Sequence, residues 1–379
     1  MIDYEILKII WWLLIGVLLS AFAVMDGQDM GVGTLLPFLG KTDSQRRCMI
    51  NAVAPHWDGN QVWLLTGGGA IFAAWPLVYA VAFSGFYWAM LLVLFALILR
   101  PVGFDFRSKL AEKKWRFFWD WALFLGSAVP PIIFGVAIGN LLLGIPFRFD
   151  ETMRPLYFGN LWMLLSPFAL LCGVLSFSMI IVHGSCWLIL RTEDSLQHRA
   201  SVVASVSATT TALLFAVGGV WTYLGIDGFV ASLGLSPSGP ADPLAKTVDV
   251  YSGAWFSNFL QYPVLFLLPA LGIVSEFLVV ALARRHCGLG AVCASGVAIV
   301  SIVLTPLIAM FPFILPSSIH ANSSLTIWDC CSSQLTLEIM LIAVVVFLPF
   351  VLGYTTWAYK VMSGKVTDEF IAQNDKQLY

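Results

Sequence analysis

Long apolar runs dominate this sequence and decide what it can fold into. A helix needs about 20 mostly apolar residues to cross the hydrocarbon core of a bilayer. Seven such runs lie at roughly 78–99, 119–144, 160–190, 201–226, 262–283, 289–315 and 335–360. Only 11% of the residues are charged, whereas soluble domains carry about 25%. The sequence therefore predicts an all-α polytopic membrane protein, with residues 1–379 as a single membrane domain.

The net charge and the N-terminus exclude two further classes. A formal net charge of −2 argues against binding to nucleic acid. The first apolar run begins only after Asp3, Glu5 and Lys8, without the basic flank and small-residue cleavage site of a signal peptide. We expect this run to remain in the protein as its first transmembrane helix.

The number of spans depends on two polar motifs near the N-terminus. The first, MDGQDMGVG, interrupts an apolar stretch that begins at Ile9 and continues to Leu39. The second, HWDGNQ, lies within the stretch from Met49 to Trp75. If the motifs lie in a loop, the chain has eight spans. If they lie inside helices, it has nine.

Loop charge favours nine spans, because cytoplasmic loops are enriched in Lys and Arg. Basic residues concentrate in four segments: 100–118, 191–200, 284–286 and the C-terminus. Three segments are poor in them: 145–159, 227–261 and 316–334. The remaining basic cluster is Lys41, Arg46 and Arg47. It lies on the same side of the membrane as the four basic segments if the chain crosses nine times, and on the opposite side if it crosses eight times. We therefore predict nine spans, a periplasmic N-terminus and a cytoplasmic C-terminus.

This topology predicts that residue 44 faces the cytoplasm. A cysteine introduced by Ser44→Cys should resist a membrane-impermeant maleimide in intact cells, because the bilayer separates it from the reagent, and should react once the membrane is opened. Asp242→Cys, in the predicted external loop, is the control that should react in intact cells. Labelling of Ser44→Cys before the membrane is opened would rule out nine spans.

Three acids lie at predicted membrane depth, where a charge is costly and is usually paired or functional. Asp26 and Asp29 are spaced i,i+3 and share a helix face. Asp58 lies in PHWDGNQVW, with Gln61 on the same face. Counted from the loop between the two helices, Asp29 and Asp58 are each roughly 13–15 Å deep. Three carboxylates at one level are the ingredients of a proton relay, whereas the simpler interpretation is that they only fix helix packing.

Other polar residues in apolar segments have simpler interpretations. His56 and His183 could each be a haem ligand, but hydrogen-bonded packing is the commoner role of a single histidine. Glu276 lies two turns before Arg284, and we expect it to extend to the inner interface. Arg100 precedes Pro101 and is expected at a helix end, where a basic residue suits the helix dipole.

Seven motifs in order resemble subunit II of the cytochrome bd ubiquinol oxidases. They are MDGQDMGVG, NAVAPHWDGNQVW, GGGAIFAAWP, FSGFY, LRPVGFDFR, MFPFILPSS and SLTIWDCCSSQLTL. The resemblance covers essentially the whole chain. It implies nine helices, arranged as two four-helix bundles plus one peripheral helix, in the bacterial inner (cytoplasmic) membrane.

The resemblance also implies a respiratory activity. The complex oxidises ubiquinol, reduces O2 to water and builds a proton gradient by taking the protons from the cytoplasm. Subunit I is expected to carry haems b and d, so that this chain ligates no haem or other metal. The family pattern further allows a structural ubiquinone in this chain, bound lipid and small single-span accessory subunits.

Individual residues match the family's motifs. Asp58 matches an acid at the subunit interface that faces the proton path, Trp63 matches a tryptophan beside the proposed oxygen route, and Arg100 matches a position near the interface. Asp26 and Asp29 match a motif in which Gln28 replaces the usual aromatic residue, which puts only local packing in doubt. No residue of this chain is expected to be directly catalytic.

Two other functional classes remain open from the residues themselves. A proton-coupled secondary transporter could use Asp26, Asp29 and Asp58 as its substrate site, and the chain could also be a scaffold without a proton role. The ordered motif set favours the oxidase subunit.

Overall fold

The computed structural model describes residues 2–234 and 236–374, which are mostly helical. The helices are α1 (Tyr4–Leu39), α2 (Asp43–Val53), α3 (Trp57–Ala74), α4 (Pro76–Gly85), α5 (Tyr87–Arg107), α6 (Lys113–Leu143), α7 (Pro167–Arg191), α8 (Asp194–Gly225), α9 (Ser257–Gln261), α10 (Leu267–Arg284), α11 (Gly288–Met310), α12 (Gln334–Val361) and α13 (Asp368–Gln373). Three antiparallel hairpins lie between spans: β1 (Phe147–Phe149) with β2 (Pro155–Tyr157), β3 (Asp227–Leu233) with β4 (Thr247–Ser252), and β5 (Phe313–Leu315) with β6 (Leu325–Thr326).

Helix α1 runs unbroken through the MDGQDMGVG motif. Its 36 residues extend about 54 Å, which exceeds the hydrocarbon thickness of a bilayer. Glycine is a poor helix former in water, but lipid offers no alternative partner for backbone N–H and C=O groups, so the helix is kept. The prediction that this polar motif lies inside a helix is confirmed.

The HWDGNQ motif begins a helix instead of lying within one. The chain is interrupted at 54–56 between α2 and α3, and α3 starts at Trp57. Eight helices in the described ranges are long and apolar enough to span a membrane on their own, and α3 is not among them. However, α3 packs along α1, and the Ser332 amide donates to the Ala74 carbonyl at the end where α12 begins. Helix α3 therefore supplies the ninth crossing.

The basic segments meet at one end of the molecule. Arg107 and Arg116 both bind Asp43, at 3.0 and 2.5 Å, which joins the α5–α6 connection to the start of α2. Lys365 pairs with Glu193 at 3.2 Å, and the Ser44 hydroxyl donates to the Asp368 carboxylate at 2.6 Å. We call this the basic end. The grouping of charges that predicted nine crossings is confirmed, whereas its orientation towards the cytoplasm stays a prediction.

The spans form two bundles and a peripheral helix, as predicted. Helices α1, α3, α5 and α6 form the first bundle, and α7, α8, α10 and α11 form the second. Helix α12 contacts α1 and α3 along one side, and most of its surface is exposed. The bundles meet where Gly31 of α1 crosses Gly184 of α7 so closely that a Cβ on Gly31 would lie 2.7 Å from the Gly184 Cα.

Three sequence-based boundaries are wrong. The run at 78–99 is divided between α4 and α5, because the chain turns at Trp75 and again at Phe86. The predicted loop 100–118 is helical up to Arg107, so Arg100 lies inside α5 and not at a helix end. Helix α7 begins at Pro167 and not at 160, with proline in the first turn, where its missing N–H needs no partner.

The end opposite the basic end is closed by loops that are tied to buried lysines. The Lys8 ammonium donates to the carbonyls of Pro237, Gly239 and Trp328. Lys246 pairs with Asp329 at 2.8 Å. Burial raises the pKa of Asp329, although the Lys246 ammonium opposes that rise. These contacts hold the long 227–261 segment over the ends of the helices.

The contact between Gly31 and Gly184 predicts the effect of one added methyl group. Gly31→Ala should destabilise the protein by about 1–3 kcal/mol, because the α1 and α7 backbones must separate to admit the methyl. Gly353→Ala in α12 is the matched control, since a Cβ there meets no atom within 4 Å. Thermal unfolding of the detergent-solubilised protein measures both. Equal stability of the two variants would contradict the close-contact interpretation.

Candidate functional site

Asp26 forms a buried ion pair with Arg100 in the first bundle. Asp26 lies in the middle of α1, and its two carboxylate oxygens accept from the Arg100 guanidinium at 2.5 and 2.8 Å. Both side chains are fully buried. A bidentate pair is the geometry in which arginine and carboxylate interact most strongly. The expectation that Arg100 caps a helix end is therefore wrong, because the side chain points into the bundle to neutralise Asp26.

Asp29 begins a second polar chain on the same helix. Its Oδ2 accepts from the Asn60 amide of α3 at 2.7 Å, and the Asn60 Oδ1 accepts from the Tyr359 hydroxyl of α12 at 2.8 Å. The Gln28 amide donates to the same hydroxyl at 2.6 Å. The Asp29 Oδ1 has no hydrogen-bond partner in the described part of the chain. Gln28 therefore joins the same polar chain through the Tyr359 hydroxyl.

Positive charge is scarce around these acids. Among the described residues, Arg100 is the cation that lies within electrostatic range of both Asp26 and Asp29. One guanidinium balances one carboxylate, so the pair of acids can accept one proton without leaving a net positive charge. The free Asp29 oxygen is the position in this cluster that can carry such a proton.

Asp58 does not join this cluster. It lies in the first turn of α3, where a negative charge is favoured by the helix dipole. Its side chain is exposed on the surface of this subunit. Asn60 takes the predicted place of Asp58 beside Asp29. Residues two positions apart on a helix project about 200° apart, so Asp58 lies near the level of Asn60 along α3 but on the opposite face, and the predicted face is wrong. Asp26 and Asp29 share one level, and the third carboxylate points outward.

The surface around Asp58 is apolar. Val62, Leu65 and Phe72 of α3 are exposed beyond it. Gln61, one turn after Asp58, is half-buried, and its side-chain oxygen lacks a partner in the described ranges. Trp63 is half-buried and packs on the core formed with Phe22 and Met30. A carboxylate on an apolar membrane-depth surface is costly against lipid, so this face is suited to a protein partner.

The sequence pattern did not reveal several polar residues of the interior, or it placed them wrongly. Nothing in the pattern indicated Tyr359, which joins the Asp29 chain from α12 and also stacks on His56 with 4.5 Å between ring centroids. His183 bonds to the Ser295 hydroxyl at 2.7 Å. Glu276 does not extend to an interface but is buried in the second bundle. Only Asn60 had a usable clue, as the amide two residues after Asp58 on the opposite helix face.

A large apolar cavity lies between the bundles. Its volume is about 670 Å³, within the range of small-molecule sites in proteins. Side chains from α1, α6, α7, α8 and α11 line it, including Phe22, Met30, Phe134, Met179 and Ile302. Its walls are suited to an isoprenoid chain or an acyl chain.

Comparison with known proteins decides the family. The family model "Cytochrome bd terminal oxidase subunit II" matches residues 7–362. The chain belongs to this family. It is 53% identical over 379 residues to "Cytochrome bd-I ubiquinol oxidase subunit 2" of Escherichia coli K12, covering all of both chains. It is 50% identical over 380 residues to "Probable cytochrome oxidase subunit 2" of Haemophilus influenzae Rd, again covering all of both chains.

A more distant relative and a solved structure agree with this family assignment. The identity to "Cytochrome bd ubiquinol oxidase subunit 2" of Bacillus subtilis 168 is 32% over 358 residues, covering 94% of this chain and 96% of that one. The fold matches a chain of the bd oxidase from Geobacillus thermodenitrificans, with a TM-score of 0.71 and 13% identity, over 94% of this chain and 98% of that chain. The protein is thus a subunit of a respiratory oxidoreductase complex with a partner subunit I, and the transporter hypothesis is wrong.

The Asp26–Arg100 pair predicts strong non-additivity. Asp26→Asn and Arg100→Gln should each destabilise the protein by about 3–5 kcal/mol, because each leaves a buried group without its partner. The double variant should cost much less than the sum of the two. Chemical unfolding in micelles measures the cycle, with the exposed Asp227→Asn as control. Additive effects would show that the two side chains do not interact.

Proposed function

We propose that this chain is the non-haem subunit of a quinol:oxygen oxidoreductase, and that its polar core helps to deliver protons to the oxidase reaction. The observation that carries the proton role is the Asp26, Asp29 and Arg100 cluster, in which two buried acids share one guanidinium. The complex would oxidise ubiquinol, reduce O2 to water and draw its protons from the cytoplasm. Two of the relatives are ubiquinol oxidase subunits by name, which supports the first of these steps.

Asp58 is proposed as the proton donor at the partner interface. Its carboxylate is exposed on the face of α3 that we assign to subunit I, and Gln61 lies one turn further along the same helix. Asp58 and Asn60 are close in sequence, so the exposed acid and the Asp29 chain lie at similar depth on opposite sides of α3. In this proposal Asp58 exchanges protons with groups of the partner, and Asp29 with Asp26 holds a proton within the bundle.

The partner is proposed to carry haems b and d, which supply the redox chemistry when bound. The residues of this chain then exclude water and hold protons. His56 is stacked on Tyr359 and lies edge-on to Trp187, which is typical of a packed core imidazole. Trp63 is proposed to line the oxygen route beside the contact with subunit I. Arg100 is buried in its ion pair with Asp26 and is proposed to act on that region only through this pair.

The apolar cavity is proposed to hold a structural ubiquinone. A ring with a long isoprenoid tail needs an elongated apolar site between helices, and the cavity volume of about 670 Å³ is sufficient for a large part of such a molecule. Bound lipid and small single-span accessory subunits would cover the exposed faces of α8 and α12. We place the protein in the bacterial inner membrane with its basic end towards the cytoplasm.

The relay role of Asp58 predicts a selective kinetic defect. Asp58→Asn should slow oxygen consumption per haem more than it weakens quinol binding, because the amide keeps the shape but cannot carry a titrating proton. The decrease should be about 10²-fold or more if the acid acts in the rate-limiting proton transfer. Asp58→Glu should retain part of the activity.

Haem content and subunit assembly are measured first, so that turnover is compared between intact complexes. Glu369→Gln, an exposed acid of α13, is the control and should behave like the unaltered oxidase. If Asp58 only braces the interface, Asp58→Asn should be mild and Asp58→Leu should prevent assembly. Near-normal turnover in a fully assembled Asp58→Asn oxidase would eliminate the relay.

A further inference from the structure

Tyr359 lies on the peripheral helix and yet hydrogen bonds inside the first bundle. Most of the surface of α12 is exposed. The Tyr359 hydroxyl nevertheless donates to the Asn60 Oδ1 of α3 at 2.8 Å and accepts from the Gln28 amide of α1 at 2.6 Å. A single oxygen atom therefore links α12 to two helices of the bundle.

The ring of Tyr359 is held in place by contacts that do not involve its hydroxyl. It stacks on the His56 imidazole, with 4.5 Å between ring centroids and 4° between the ring planes. Trp187 of α7 packs edge-on at 5.9 Å. Just beyond the end of α12, the Met362 carbonyl accepts from Arg191 of α7 at 2.8 Å. These contacts fix the last turn of α12, so the ring should keep its position when the hydroxyl is removed.

The donors of this polar chain all point towards Asp29. The Gln28 N–H donates to the Tyr359 oxygen, which leaves the one hydroxyl hydrogen to point at the Asn60 Oδ1. The Asn60 amide then presents its Nδ2 to the Asp29 Oδ2 at 2.7 Å. An amide turned by 180° would bring two acceptors together, the Asn60 Oδ1 and the Asp29 carboxylate. The Tyr359 hydroxyl therefore selects the amide orientation in which Asp29 receives a donor.

The orientation of the Asp29 carboxyl depends on this chain. Its Oδ1 has no hydrogen-bond partner in the described ranges, and the Arg100 guanidinium bonds to Asp26. Among the described residues, the Asn60 amide is thus the hydrogen-bond partner that orients Asp29. In a buried network, the loss of one member weakens the bonds between the others.

We propose that Tyr359 is a positioning residue for Asp29 and acts on it through the Asn60 amide, while Gln28 fixes the direction of the Tyr359 hydroxyl. This inference rests on the proton-holding role of Asp29 in the proposed function. Tyr359 itself touches no carboxylate and transfers no proton. It keeps Asn60 aligned, so the seating of α12 on the first bundle determines how readily Asp29 exchanges its proton during turnover.

Tyr359→Phe removes the hydroxyl and keeps the ring. Oxygen consumption per haem at saturating ubiquinol should fall about threefold to tenfold, the range expected for the loss of one hydrogen bond, and the KM for ubiquinol should not change. Tyr354→Phe is the matched control, because it makes the same change on the same helix at an exposed side chain. It should behave like the unaltered oxidase. Haem content and subunit assembly are compared first.

A double variant separates positioning from packing. If Tyr359 acts through Asp29, Tyr359→Phe should cause no further decrease in turnover in the Asp29→Asn oxidase, because residues that act as a unit are not additive. A purely structural contact would slow both backgrounds by the same factor, which would overturn the proposal.

Gln28→Met gives a second cycle that leaves both acids intact. It should slow turnover about twofold, because it removes the donor that directs the hydroxyl, and it should add nothing to Tyr359→Phe. Normal turnover in Gln28→Met, or a decrease that multiplies with that of Tyr359→Phe, would contradict the assigned order of donors.

The outcomes separate this inference from the proposed function. Slow turnover in Asp29→Asn with normal turnover in Tyr359→Phe would overturn the positioning role and leave the proton role of Asp29 standing. Normal turnover in Asp29→Asn would remove the proton role, and slow turnover of Tyr359→Phe in that case would show that Tyr359 acts elsewhere.

Discussion

The contact between the Gly31 and Gly184 backbones is the interaction on which the rest of the arrangement depends. It brings the α1 and α7 backbones closer together than any residue with a Cβ would permit. Apolar surface gives no net drive for helices to associate in lipid, so close backbone packing must hold the two bundles together. Helix α1 therefore stands at the centre of the molecule, against α3, α6, α7 and α11, and both acids of the Asp26 and Asp29 cluster lie on it.

Charge compensation then separates the polar residues by function. Asp26 has a full counter-charge in Arg100, and Asp29 accepts from the Asn60 amide. Within the described ranges, the second Asp29 oxygen and both Glu276 carboxyl oxygens lack a hydrogen-bond partner. Asp58 is exposed and lies on the face suited to a partner. The carboxyl side chains of this protein therefore occupy environments that range from a buried ion pair to an exposed surface position.

The two ends of the protein are built by different means. At the basic end, arginines and aspartates of α2, α5 and α6 form a network around the buried Asp120, which Arg46 and Arg107 both contact at 2.5 Å. At the other end, hairpins and the loops tied by Lys8 and Lys246 cover the helices. Both ends fix the helix register, which keeps the intramembrane side chains in position.

The sequence by itself determined the fold class, the nine crossings and the grouping of basic segments, because lipid imposes long apolar helices and a consistent placement of charge. It also identified Asp26, Asp29 and Asp58 as the unusual acids. It could not pair Arg100 with Asp26, because 74 residues separate them and the predicted helix at 78–99 ended before Arg100. It could not distinguish the faces of Asp58 and Asn60, nor join Tyr359 to Asp29. Those contacts depend on how each helix is rotated about its axis, and packing against distant neighbours sets that rotation.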